Sequence, residues 1–153
     1  MEIENCVEEA TMVTPKTGDL FLSMLGTPAA IGLARTLADH RLRKWDYFHI
    51  LDDALLVVAE LVTNAAEATP LREIRLQVSR DVEGIIIAVW DSSRRLPKPK
   101  PVVELALEDL DLSAESFDDN GGWGLPLVQA LSTACGYTHD PSGGKWVWSR
   151  ICP

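Results

Sequence analysis

From Asp19 onward, runs of apolar residues alternate with short polar breaks, and the spacing within each run predicts its element. Asp19 to Gly26 (DLFLSMLG) is short, apolar and holds Phe and Leu, which predicts a first strand. Thr27-Pro28 reads as a helix start, with Thr at the N-cap and Pro at the first helical position, where no amide donor is missed. Up to about Arg43, residues Ile31, Ala34, Leu37, Ala38 and Leu42 share one helical face. A longer helix is expected from about Tyr47 to Ala68, because Leu51, Ala54, Leu55, Val58, Leu61, Val62 and Ala65 recur at three and four residues. Pro70 ends it.

Two strands follow. In Glu73 to Arg80, Ile74, Leu76 and Val78 alternate with Arg75, Gln77 and Ser79, which predicts one exposed face. Gly84 to Asp91 is nearly all apolar and reads as a central strand, with Asp81 to Gly84 as the hairpin turn. Residues 92 to 121 break the pattern: Pro97, Pro99 and Pro101 interleave with Lys98 and Lys100, and seven acids lie between Glu104 and Asp119. So long a stretch without firm structure inside a domain reads as a functional lid or a disordered insertion. Leu125 to about Cys135 is a short helix entered through glycines. The last strands, near Gly136 to His139 and Lys145 to Ile151, flank the turn Pro141-Ser142-Gly143-Gly144. This order predicts an α+β two-layer sandwich, a mixed β-sheet covered on one face by helices. Residues 1–18 lack periodicity and are expected to be a flexible arm ahead of one domain, 19–153.

A chain of 153 residues with 46% hydrophobic content fits one domain with a substantial core. The formal net charge of -9 repels phosphate backbones, so neither nucleic acid nor an anionic membrane is an expected partner. The longest fully apolar runs, Ala54 to Ala59 and Ile85 to Trp90, are six residues each, whereas a spanning helix needs about 20. The acidic start lacks a secretory pattern, and the three scattered cysteines suit a reducing compartment. A cytoplasmic protein is expected.

Candidate chemistry begins with Glu60-Leu61-Val62-Thr63-Asn64 in the long helix. Glu60 and Asn64 are four apart and point the same way; Asp53 and Glu67 share that side, so alone the group reads as a solvated stripe. Asp91 ends the most apolar strand, and Gly121-Gly122-Trp123-Gly124 opens a helix, where free amides reached by bare backbone suit phosphate oxygens. The ordered triple, with a lid between its second and third members, carries the weight.

ELVTNA at 60–65 resembles the N box of GHKL ATP-binding domains, Trp90-Asp91-Ser92-Ser93 their first glycine box, and Gly122-Trp123-Gly124-Leu125 their second. Gly144-Lys145-Trp146-Val147-Trp148 is similar to the closing strand of the anti-sigma-factor serine kinase branch, abundant in actinobacteria. The resemblance spans about residues 19 to 151 and implies ATP and Mg²⁺ as ligands. It implies Asn64 as the Mg²⁺ ligand and Glu60 as general base toward a serine of a partner. It also implies Asp91 as acceptor for the adenine amino group and Ser93, Gly122, Trp123, Gly124 and Leu125 in the nucleotide-binding turns, with 95–120 as lid. Arg94, Arg95, Lys98 and Lys100 are candidate cations for the transferring phosphoryl group. The implied partners are an anti-sigma-factor antagonist, a sigma factor, or both. A homodimer along the first strand and helix is implied too, for which LSMLG offers an apolar edge.

The pattern also departs from the family. Ser93 and Arg95 hold glycine positions of the first box, Trp123 stands where the branch often carries a basic residue, and Ala68 where many relatives place His. The alternative reading is therefore a degenerate, non-catalytic GHKL domain that regulates a sigma factor or antagonist by binding alone.

Overall fold

A computed structural model describes residues 18–94 and 124–153. The N-terminal arm and the lid expected at 95–120 lie outside the described residues, as do Gly122 and Trp123. In chain order, the elements are β1 (Leu20–Leu25), α1 (Pro28–Lys44), a 3-10 turn (Phe48–Ile50), α2 (Leu51–Ala68), β2 (Glu73–Asp81), β3 (Gly84–Asp91), α3 (Gly124–Leu131), β4 (Ala134–His139) and β5 (Lys145–Ile151).

The strands form one sheet in the order β1-β2-β3-β5-β4, and every neighbouring pair is antiparallel rather than mixed. The reason lies in the connections. Two helices separate β1 from β2 and return the chain reversed. β3 and β4 do run the same way, but β5 inserts between them and removes the parallel contact.

Thr27 does precede α1 in an extended conformation with Pro28 behind it, although its hydroxyl makes no capping bond. Arg41, Arg43 and Lys44 in the last turn complement the carbonyl end. Asp46 then takes a left-handed conformation (φ 64°), and the Asp46 and Tyr47 amides bond back to the Arg43 and Leu42 carbonyls at 3.0 Å each. The buried edge of α1 is Ala30, Ala34, Ala38 and Leu42, with Ile31 and Leu37 only partly covered. In α2 the buried set is Leu51, Ala54, Val57, Val58, Leu61, Val62 and Ala65; Leu55 is only partly buried. α3 ends at Leu131, short of the expected Cys135, because Ala134 and Cys135 pair with Arg150 and Ser149 as the start of β4.

All three helices pack on one face of the sheet, over Leu20, Met24, Ile74, Leu76, Val78, Ile85, Ile87, Val89 and Ile151. The other face is not the plain exposed surface that the alternation in β2 suggests. Ile86, Ala88, Trp90, Trp146 and Trp148 form a second buried cluster there; Gln77, opposite Ala88, is buried, and Arg75 stacks over the Trp90 ring at 4.3 Å. No helix of the described residues is long and apolar enough to cross a membrane.

Candidate functional site

The register puts the candidate residues at one end of the sheet. Met24 faces Ile74, Ile74 faces Asp91, and Asp91 faces Lys145, so four strands align there. All four side chains lie on the helix-covered face, since they alternate in phase with Leu76, Val89 and Val147. The C-terminal turns of α2 come to the same end. Gly26, just past β1, lies so close to α2 that an added Cβ would stand 2.7 Å from the Thr69 carbonyl oxygen and 3.2 Å from Ala66 Cα. The backbone bonds Gly26 N to Arg72 O (2.8 Å) and Leu71 N to Gly26 O (3.0 Å) lock that corner. Asn64 and Glu60 are thus on the last turns of a helix that delivers them to the end of the sheet where Asp91 sits.

The polar stripe of α2 is solvated only at its extremes. Asp53 and Glu67 are exposed, while Glu60 and Asn64 between them are partly covered. Asn64 Nδ2 is buried with no hydrogen-bond partner among the described residues. A buried donor left unpaired costs about 1–3 kcal/mol, a cost that a ligand bonding there would offset. Rotation of the amide by half a turn puts Oδ1 in the same space, as a hard-cation ligand requires. Burial holds the Glu60 carboxyl above the ordinary glutamate value, and the nearby Glu67 charge adds to the effect. That is the direction a general base at neutral pH needs.

Asp91 is almost wholly buried. Its Oδ1 accepts from Lys145 Nζ at 2.7 Å and from the Ser93 backbone amide at 2.9 Å, while Oδ2 makes no hydrogen bond among the described residues. Ser93 therefore contributes its backbone to the turn. Ser92 Oγ, next to Asp91, is likewise buried without a hydrogen-bond partner among the described residues. Gly124 begins α3, whose Val128 enters the main core; the Leu125 side chain, like Gly122 and Trp123, lies outside what is described. Arg94 is exposed, and Arg95, Lys98 and Lys100 are outside the described residues.

A Mg·ATP ligand fits these residues: an acceptor for an amino group at Asp91, an orphaned amide at Asn64, and a carboxylate with raised proton affinity one turn away. Lys145 is the site residue that sequence reasoning missed. Its signal was a lysine directly after Gly143-Gly144, immediately before the apolar run Trp146-Val147-Trp148 of β5.

No curated protein sequence matches the chain. A family model described as the histidine kinase-like ATPase domain matches residues 27–151, from the N-cap of α1 to the last residue of β5. That span takes in Glu60, Asn64, Asp91 and Lys145, and its architecture is the α+β sandwich described above. The chain belongs to the histidine kinase-like ATPase domain family.

Proposed function

We propose that this ATPase-family domain is a regulatory protein kinase that uses Mg·ATP to phosphorylate a serine of a partner protein, in the manner of anti-sigma-factor serine kinases. The observation that carries the reading is the partial burial of Glu60 and Asn64, with the Asn64 Nδ2 left unpaired among the described residues, at the sheet end that holds Asp91.

Each residue has a part. Asp91 would accept a hydrogen bond from the base amino group, and Asn64 would hold Mg²⁺ beside the phosphates. Bound Mg²⁺ neutralises phosphate charge there. Glu60 takes the proton of the attacking serine hydroxyl as that oxygen bonds to the γ-phosphorus and the bond to the β-phosphate oxygen breaks, leaving ADP and a phosphoserine. The raised proton affinity of Glu60 supports this assignment. The partner that fits is an anti-sigma-factor antagonist, with sequestration of a sigma factor as the regulatory output, and the compartment is the cytoplasm. A homodimer through β1 and α1 is part of the same reading; Phe21 and Leu25 are exposed along that edge.

The test is Glu60→Gln with ATP, Mg²⁺ and a serine-bearing antagonist protein. Phosphotransfer should disappear while ATP affinity holds. Transfer that survives in Glu60→Gln removes Glu60 as the base. The binding-only reading draws on Ser93 standing at a glycine position, and it requires partner affinity that is the same with and without ATP.

A further inference from the structure

Lys145 is almost fully excluded from water, yet it heads β5 directly across from Asp91. A buried ion pair adds little net stability over apolar residues of similar volume, so its position in the fold matters more than its strength. The position is built by the chain. Gly144 sits at φ +78°, and a Cβ there would overlap the Asp91 carbonyl oxygen and lie 2.7 Å from Trp90 Nε1. Trp90 Nε1 in turn donates to the Gly143 carbonyl at 3.0 Å, pinning the turn to β3. The two glycines therefore press the start of β5 onto the end of β3 and deliver the ammonium group to the carboxylate.

The bonding of the pair is incomplete in a specific way. Asp91 Oδ1 carries both of its donors, Lys145 Nζ and the Ser93 amide, which leaves Oδ2 as a spare acceptor among the described residues. The ammonium has three protons; one goes to Oδ1, and a second reaches the Ser93 carbonyl only at 3.4 Å. At least one N–H is left over. The pair thus keeps one acceptor, Oδ2, and one donor N–H in reserve. The Watson–Crick edge of adenine carries the complement, the 6-amino donor beside the N1 acceptor. Guanine instead puts a carbonyl oxygen where adenine has its amino group, facing a carboxylate that can only accept.

We propose that Lys145 is a base-reading residue that donates to adenine N1 while Asp91 accepts from the 6-amino group, so that the pair selects adenine nucleotides. The inference rests on the nucleotide-binding reading above. Lys145 also holds the Asp91 carboxylate in place through Oδ1, which fixes the direction of the free Oδ2.

The test is calorimetric titration of the full chain in Mg²⁺ buffer with ATP, with 1-deaza-ATP, which lacks the N1 acceptor, and with 7-deaza-ATP, which keeps it. The loss of one hydrogen bond to a charged donor should weaken 1-deaza-ATP about 10- to 100-fold against ATP. 7-deaza-ATP should bind like ATP. In Lys145→Met, ATP and 1-deaza-ATP should bind equally, both more weakly than ATP to the native chain. Equal affinities of the native chain for ATP and 1-deaza-ATP overturn the assignment and leave nucleotide binding standing, as does discrimination that persists in Lys145→Met. No binding of ATP itself overturns the nucleotide reading and this inference with it. If Lys145→Met does not fold, the three-ligand comparison on the native chain still decides.

Discussion

Removing the cation from the Asp91–Lys145 pair should cost far more stability than removing both charges. Both side chains are only 4% exposed, so solvent screening does little for either, and Lys145→Met leaves the Asp91 carboxylate buried beside one backbone amide. Breaking a buried pair from one side costs about 3–5 kcal/mol, because the surviving charge is uncompensated. With an m-value near 2 kcal/mol/M for a domain of this size, that lowers the urea midpoint by about 2 M. In the Asp91→Asn/Lys145→Met double variant the Asn oxygen still accepts from the Ser93 amide, no charge is buried, and at least half of the loss should return. The assay is urea unfolding followed by tryptophan fluorescence, which Trp90, Trp146 and Trp148 near the site make sensitive. A single-variant cost under about 1 kcal/mol, the range of exposed pairs, would mean that the carboxylate is solvated. A double variant no more stable than the single would refute the argument equally.

Three further outcomes follow from the same geometry. Gly144→Ala must shift backbone, since its Cβ would overlap the Asp91 carbonyl in a left-handed conformation; differential scanning calorimetry should show a loss above about 2 kcal/mol, and a melting point within a degree of native contradicts the close approach. Glu60 carries a raised folded-state pKa, so the stability it contributes is complete below the ordinary glutamate value and is lost as pH rises through the folded value. Glu60→Gln should therefore melt higher than the native chain at pH 7, with the difference closing below about pH 4.3; a constant difference across pH removes the burial argument. Ala34 is fully buried in the main core, so Ala34→Leu should cost about 1–3 kcal/mol in urea unfolding, and a neutral result would place unfilled space beside α1.

Where a periodic signal was strong, the fold was legible from the chain itself. The run of apolar residues in Gly84–Asp91, flanked by a turn and an acid, marks the fully buried central strand at its observed bounds, and the three-and-four spacing of α2 marks its buried edge. The end of α3 was not legible, because Ala134-Cys135 suits a helix locally and is claimed by pairing with β5, a contact that local pattern does not carry. Strand order escaped for the same reason: β5 lies between β3 and β4 through register with both, so the sheet is antiparallel. On the far face, Gln77 and Ser79 read as solvent-facing by alternation, yet both are buried in a layer that also holds three tryptophans. At the candidate site, motif spacing singles out Glu60, Asn64 and Asp91, and the fold brings the last turns of α2 to the sheet end that holds Asp91. Spacing does not single out Lys145, since a lysine after a glycine pair is ordinarily a solvated turn residue, and only the register across β3 and β5 turns it inward.

A nucleotide site in this domain requires Asn64, Asp91 and Glu60 to share one end of the sheet. Calorimetric titration of the native chain with ATP, run with and without Mg²⁺, tests that most directly. A single saturable site is expected, with a dissociation constant between about 1 μM and 1 mM, the usual range of enzyme substrates, and weaker binding once Mg²⁺ is removed. No saturable heat at several-fold higher ATP, on the order of 5 mM, would contradict it, since Asp91 and Asn64 would then face no common ligand.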